Sequence, residues 1–212
     1  MLADNPGSNF KDGITADREQ RLRSVAAMRQ TDVVLVLENV HDPHNIGAVL
    51  RTCDSVGIAE VFIVYTEEQL TEETLEKGLN SKTSSGARKW IKTSLFNSVS
   101  DCIKELKKRN LKVYGTHLGE EAQSIYNCDF TTPVAVVLGN EHDGLSQEFL
   151  NELDGNIYIP RVGMVQSLNI SVASAIIVYE IFRQRQLKLL YSTNRSNEEL
   201  FSYYKSVNKD RG

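Results

Sequence analysis

The sequence predicts an α/β fold in which a parallel sheet carries helices on both faces. Three observations lead there. Unbroken runs of β-branched residues and leucine, VVLVL at residues 33–37 and VAVVL at residues 134–138, suit strands covered on both faces. Segments with apolar residues at helical spacing alternate with these runs. Polar, glycine-containing loops follow the strands, where an open parallel sheet places its ligands. At 212 residues the chain is long enough for one such domain with a sizeable core and short for two.

The elements follow in order. Residues 1–14 are polar, with Pro6, Gly7 and Gly13, and read as a flexible leader. Residues 16–30 form a helix with Leu22, Val25 and Met28 on one stripe and Arg18, Arg21, Arg23 and Arg29 largely off it. The strand at 33–37 leads to a helix over 45–55, where Ile46, Val49, Leu50 and Cys53 share a face, Asn45 caps the start and Gly57 ends it. A strand at 61–65, a helix at 98–109 and a strand at 112–115 come next. The strand at 134–138 ends on Gly139, and the strand at 157–159 is stopped by Pro160. A long helix over 168–190 carries Val172, Ile176, Tyr179 and Phe182, and the tail from 191 to 212 is polar with Phe201, Tyr203 and Tyr204 interleaved. A single domain is therefore expected over 15–190, with the first helix as an accessory element.

Composition excludes several classes. Hydrophobic residues make up 41% and charged residues 25%, as in an ordinary globular domain. No apolar run approaches the roughly 18 residues of a membrane span, and the amino terminus has no basic start followed by an apolar stretch. The net charge of −4 argues against binding nucleic acid by bulk charge. Its distribution is uneven, however. Six acids and no base occupy 60–76, while nine Lys/Arg face only Asp101 and Glu105 over 82–112. Cys53, Cys102 and Cys128 are scattered and form no CxxC pair, which suggests neither a metal nor a redox site and fits a reducing cytoplasm.

Three strand-following loops can carry chemistry. In ENVHDPHNIGAVLRTCD, residues 38–54, Arg51 lies six residues after Asn45, roughly 120° around a helix. An arginine near a helix start suits a phosphate or carboxylate, although a surface ion pair and an ordinary cap give the same pattern. His41 and His44 have no third ligand nearby; hydrogen-bonding loop histidines, with His44 able to touch a ligand, account for them. In VAVVLGNEHDGLS, residues 134–146, Gly139 and Gly144 permit close backbone approach, and Glu141 sits at the strand mouth. A tight turn with solvated carboxylates is the alternative. In YIPRVGMVQSLNISVASA, residues 158–175, Ser167 and Asn169 stand at a helix entrance, with Ser167 the capping candidate. Neither GxGxxG nor a lysine-bearing phosphate loop is present, which removes a dinucleotide oxidoreductase.

Together these segments resemble the signature motifs of the SpoU-type methyltransferases of the SPOUT superfamily. The first resembles the family's asparagine-to-arginine motif, with five residues between Asn45 and Arg51. The second resembles GNExxGLS, matched by Gly139, Asn140, Glu141, Gly144, Leu145 and Ser146. The third resembles IPxxGxxxSLNxSVA, matched by Ile159, Pro160, Gly163, Ser167, Leu168, Asn169, Ser171, Val172 and Ala173. Their joint occurrence in family order is specific where each alone is not. HDPHN, VQSLN and the arginine-bearing first helix are most similar to the tRNA-modifying branch.

The resemblance implies a carboxy-terminal deep trefoil knot, a homodimer, and S-adenosyl-L-methionine as methyl donor. It implies methylation of a ribose 2′-hydroxyl in tRNA, with guanosine 18 of the D-loop as the expected target. Ribosomal RNA, another tRNA position, and a catalytically silent RNA-binding knot protein are the alternatives. By motif position Arg51 is the expected catalytic residue, with Asn45, Glu141, Ser167 and Asn169 around it. Thr116, Gly139, Ile159 and Leu168 are the expected cofactor contacts. The family assigns proton removal to the arginine, for which two accounts stay open: neutral guanidine made available by desolvation, or a cation stabilising the developing alkoxide. No metal is implied. RNA contacts are expected from Arg21, Arg23, His44, Arg183 and Arg185, with the basic stretch 82–112 a further candidate.

Overall fold

The computed structural model describes residues 14–66, 86–119, 121–140, 142–192 and 196–209. The leader other than Ile14, most of the acidic run, and Glu141 lie outside the described residues. The chain divides into two compact units, one from residues 30–190 and one from residues 1–29 with 191–212. The first helix thus groups with the tail, whereas the sequence places it with the domain over 15–190.

In the larger unit, seven strands among the described residues form one sheet: β1 (Gln30–Glu38), β2 (Ile58–Val64), β3 (Lys92–Phe96), β4 (Lys112–Thr116), β5 (Gln123–Ser124), β6 (Val134–Leu138) and β7 (Gly155–Tyr158). Their order is β3-β2-β1-β6-β4-β7-β5, and every pairing is parallel. β1 and β6 are neighbours in register from Val33↔Val134 to Leu37↔Leu138, so their polar loops emerge side by side. The strand order reverses there, which is where α/β sheets open a ligand crevice.

Alternation along β1 sorts the core. Val33, Leu35 and Leu37 face α2 (Pro43–Ser55) and the long helix α5 (Ile170–Leu187), with Ile46, Val49, Leu50, Ile177, Val178 and Ile181. Val34 and Val36 face α3 (Val99–Lys108) and the short α4 (Gln147–Leu150), with Cys102, Ile103, Leu106 and Phe149. Both faces are thus dry, as the unbroken apolar runs require. The three cysteines are buried thiols.

Two expected caps move. α2 begins at Pro43, with the Asp42 carboxylate accepting the His44 N–H at 2.8 Å, so Asn45 lies inside the helix rather than at its cap. α5 begins at Ile170, capped by Asn169 and not by Ser167. The strand β3 was not expected, because KTSLF is neither an apolar run nor a clean alternation.

The smaller unit contains α1 (Ala16–Met28) and α6 (Glu198–Lys209), the latter within the segment expected to be a polar tail. The Arg23 guanidinium lies 3.7 Å from the Phe201 ring centroid and pairs with Glu19 and Glu198. Among the described residues, no helix is long and apolar enough to cross a membrane.

Candidate active site

The site is built from the loops after β1, β4, β6 and β7. The loop after β1 is fixed first. Asn39 has a left-handed backbone (φ 49°), and its side chain both donates to the Thr66 hydroxyl at 3.0 Å and accepts the Thr66 N–H at 2.9 Å. The Tyr65 hydroxyl donates to the Val40 carbonyl, and burial pushes its pKa up to about 12, so it remains a donor. These bonds set the path into α2.

The loop after β6 is fixed by backbone contact. A Cβ at Gly139 would overlap the Gly144 carbonyl and the Leu145 amide, so only glycine fits. The Asn140 side-chain oxygen accepts the N–H groups of His142 (2.8 Å) and Asp143 (2.7 Å), and the Gly144 N–H closes on the Asn140 carbonyl at 3.2 Å. Gly144 turns the chain with φ 69°. At the far end, the Glu38 carboxylate accepts the Ser146 N–H at 2.9 Å.

Between the loops after β4, β6 and β7 lies a cavity of about 400 Å³. Leu138, Ile157, Ile159, Leu168 and Ile177 form apolar walls, while Thr116, His117, Asn140, Asp143, Arg161 and Ser167 supply polar groups. Apolar walls with a few convergent polar groups are the usual make-up of a small-molecule site. Thr116, Gly139, Ile159, Leu168 and Ser167, singled out from the sequence, all line it. His117, His142, Asp143 and Arg161 line it too and were missed, although each neighbours a motif residue.

Asn45 and Asn169 meet outside the cavity wall. The Asn169 side-chain amide donates to the Asn45 side-chain oxygen at 3.1 Å, and its own oxygen caps α5 by accepting the Ser171 N–H at 2.9 Å. Asn169 is therefore a structural link between the first and third motifs. Arg51 is exposed on α2 and does not line the cavity. Glu141 lies outside the described residues.

The RNA-contact candidates separate. Arg185 is 1% exposed, and its guanidinium donates to both Asp32 carboxylate oxygens, Gln30 and the Phe130 and Thr132 carbonyls. It cannot reach RNA, and that expectation is corrected: it is a core tie. Arg183 is exposed and pairs with Glu180, whose carboxyl it holds below the usual range against burial. His44 and Arg21 are exposed, whereas Arg23 is engaged by two carboxylates. Five cations of the basic stretch are paired: Lys92 and Arg109 with Glu60, Lys104 with Asp101, Lys107 with Glu152 and Lys108 with Glu105. Among the described residues, no group of three or more His, Cys, Asp or Glu is placed to hold a metal.

The family model described as SpoU rRNA Methylase family matches residues 32–179. A tRNA (guanosine(18)-2′-O)-methyltransferase of Thermus thermophilus is 41% identical over 187 residues, covering 88% of this chain and 93% of that protein. A crystal structure of an Aquifex aeolicus TrmH/SpoU tRNA modifying enzyme superposes with a TM-score of 0.81 at 34% identity, covering 92% of this chain and 98% of that one. An AdoMet-bound rRNA methyltransferase from Sinorhizobium meliloti superposes with a TM-score of 0.62 at 26% identity, over 75% of this chain and 59% of that one.

Proposed function

The chain belongs to the SpoU rRNA methylase family, and on that premise we propose that it methylates the ribose 2′-hydroxyl of guanosine 18 in tRNA. The observation that carries this reading is the cavity at the strand ends, walled by the loops of the second and third motifs. The relatives that match nearly the whole chain bear the names of tRNA-modifying enzymes.

The cavity fits S-adenosyl-L-methionine. Its apolar walls suit an adenine ring, and at Gly139 the wall is bare backbone, which can read a base edge without a side chain between. Thr116, Gly139, Ile159 and Leu168 would hold it. When bound, it supplies an electrophilic methyl group on a sulfonium sulfur. The residues outside the cavity then address the nucleotide. Arg51, an exposed guanidinium on the helix that follows the first motif's loop, stabilises the negative charge growing on the 2′-oxygen as its proton passes to solvent water. Asn45 and Asn169, bonded to each other, fix α2 against the start of α5 and so set where Arg51 stands relative to the cavity. Ser167 stands at the cavity wall, and Glu141 joins the constellation by its motif position alone.

The same reading includes a carboxy-terminal knot and a homodimer. Val162, Met164 and Val165 in the loop before α5, and Val172 and Tyr179 on α5, are exposed apolar residues that support a second copy packing there. An active site shared between copies accounts for Arg51 lying off its own protomer's cavity wall. RNA docking falls to Arg21, Arg23, His44 and Arg183.

The test is incubation with labelled S-adenosylmethionine and unmodified tRNA, followed by mapping of the 2′-O-methyl position. Label at guanosine 18 is expected; label only in ribosomal RNA or at another tRNA position overturns the target, and none overturns the activity. Light scattering at micromolar concentration is expected to give twice the chain mass; a monomer mass overturns the dimer.

A further inference from the structure

The alternation of β1 runs Val34, Val36, Glu38 on the face packed by α3 and α4, so an acid occupies a position that the pattern reserves for a hydrophobe. Glu38 is 1% exposed. Burying a carboxylate is costly unless hydrogen bonds compensate it. One such bond comes from the Ser146 N–H at 2.9 Å, 108 residues along the chain. The negative charge is felt across the face as well: burial, and then Glu38, pushes the Cys102 thiol up to about 12.

The bond has a particular place. Leu37↔Leu138 is the last pair of the register; Glu38, which follows it, ends β1, and Gly139, which follows on the other strand, is the first residue of the loop after β6. That loop starts at the cavity wall and returns through Asn140, Asp143 and Gly144, which also line the cavity. Its near end is held by the overlap-tight pairing of Gly139 with Gly144, and its far end by Glu38 on Ser146. Leu145 between them is buried against the α3 face. Ser146 in turn caps α4 through its hydroxyl, which accepts the Phe149 N–H at 3.3 Å. Releasing Ser146 therefore frees both the loop and the helix that backs it.

We infer that Glu38 is a positioning residue for the methyl donor: its carboxylate clamps the 139–146 loop onto the end of β1 and so preforms the cavity. Glu38 touches neither the donor nor the RNA; it acts through the loop. The inference rests on the proposed reading of the cavity as the donor site. A preformed wall spares the ligand the cost of ordering the loop, so the clamp is felt as affinity.

The experiment is calorimetric titration of S-adenosylhomocysteine into the full-length protein, with hydrogen exchange read at the 139–146 amides. Glu38→Met keeps the volume and removes the acceptor. It is expected to weaken binding by at least about tenfold, the equivalent of losing one hydrogen bond to a charged group, while the loop amides exchange faster. The KM for donor should rise by a similar factor, with kcat at saturation within about twofold. Glu38→Gln retains an oxygen acceptor and should recover most of the affinity. Should Glu38→Met fail to fold, the hydrogen-bond donor can be removed instead, because Ser146 has φ −63° and accepts proline. Ser146→Pro should weaken binding as Glu38→Met would, and Ser146→Ala, which keeps the N–H, should bind nearly as the wild type does. A folded Glu38→Met or Ser146→Pro protein with wild-type affinity overturns the inference. Wild-type protein that binds no S-adenosylhomocysteine overturns the donor-site reading itself, a separate outcome.

Discussion

Replacing Arg185 with methionine distinguishes a core tie from an RNA contact. The side chain is 1% exposed and makes five hydrogen bonds, at 2.7 and 2.9 Å to Asp32, 2.7 Å to Gln30, 2.9 Å to the Phe130 carbonyl and 3.0 Å to that of Thr132. Methionine fills much of the volume and removes all five. Asp32 is 44% exposed, so its carboxylate returns to water at small cost, and Thr132 is exposed as well. The buried Gln30 and Phe130 oxygens lose the Arg185 hydrogen bond, at about 1–3 kcal/mol each. Allowing for relaxation, the loss comes to about 3–4 kcal/mol, within the range for breaking a buried ion pair. For a protein of this size that lowers Tm by roughly 6–16 °C. The assay is a thermal melt alongside tRNA binding at a temperature where the variant remains folded. Binding and its salt dependence should match the wild type. A variant with wild-type Tm and weakened, less salt-sensitive tRNA binding would refute the reasoning and return Arg185 to the RNA surface.

The other expectations concern the cavity, the chemistry and the acid limb. Gly139→Ala must displace the Gly144 backbone, an overpacking cost of about 1–3 kcal/mol; calorimetry should show at least a tenfold loss of S-adenosylhomocysteine affinity, and an unchanged affinity would mean that the loop is not part of the donor wall. Arg51→Ala should lower kcat about 10²–10³-fold while leaving donor affinity and Tm near wild type, and Arg51→Lys should rescue little, since a point charge cannot replace a planar fork; wild-type kcat at saturation would remove the catalytic role. Burial alone would raise the Glu60 carboxyl, but Arg109, Ser94 and Lys92 outweigh it and hold it below its ordinary 4.5. Its folded pKa is thus depressed, so its contribution is complete above 4.5 and is lost as pH falls through the lowered value. In denaturant titrations, Glu60→Gln should cost stability at pH 7 and progressively less below pH 4.5, and a loss independent of pH would show that the charge is not what matters.

How much was legible depended on how far away the deciding partner lay. The runs of β1, β2 and β6 announced themselves because both faces are dry, and the loops after β6 and β7 carried the motif residues that now line one cavity. Part of the basic stretch is paired by carboxylates from outside it, Glu60 and Glu152, which the local sequence does not show. Glu38 reads as the first residue of the polar segment after the strand, since its partner Ser146 is 108 residues away. Other misreadings were avoidable. Asp42-Pro43 is a strong helix-start pair, and it should have displaced Asn45 as the cap. Arg183 and Arg185 are two residues apart, about 200° around a helix, so they could not share a face. One had to point toward the core, and the structure shows which.

The two cross-links of the site share an origin. Glu38 ties the end of β1 to the second motif through Ser146, and Asn45 ties the start of α2 to the third through Asn169. Both flank the loop that Asn39 and Tyr65 hold in shape from β2. The first motif is therefore more than the carrier of Arg51. It is the frame against which the cavity and Arg51 are set, so a backbone shift anywhere in residues 38–45 moves one relative to the other. Loss of alignment between two otherwise intact parts lowers kcat without lowering donor affinity, whereas loss of the Glu38 clamp lowers affinity first. The residue whose substitution produces each pattern thus identifies which of the two links it serves.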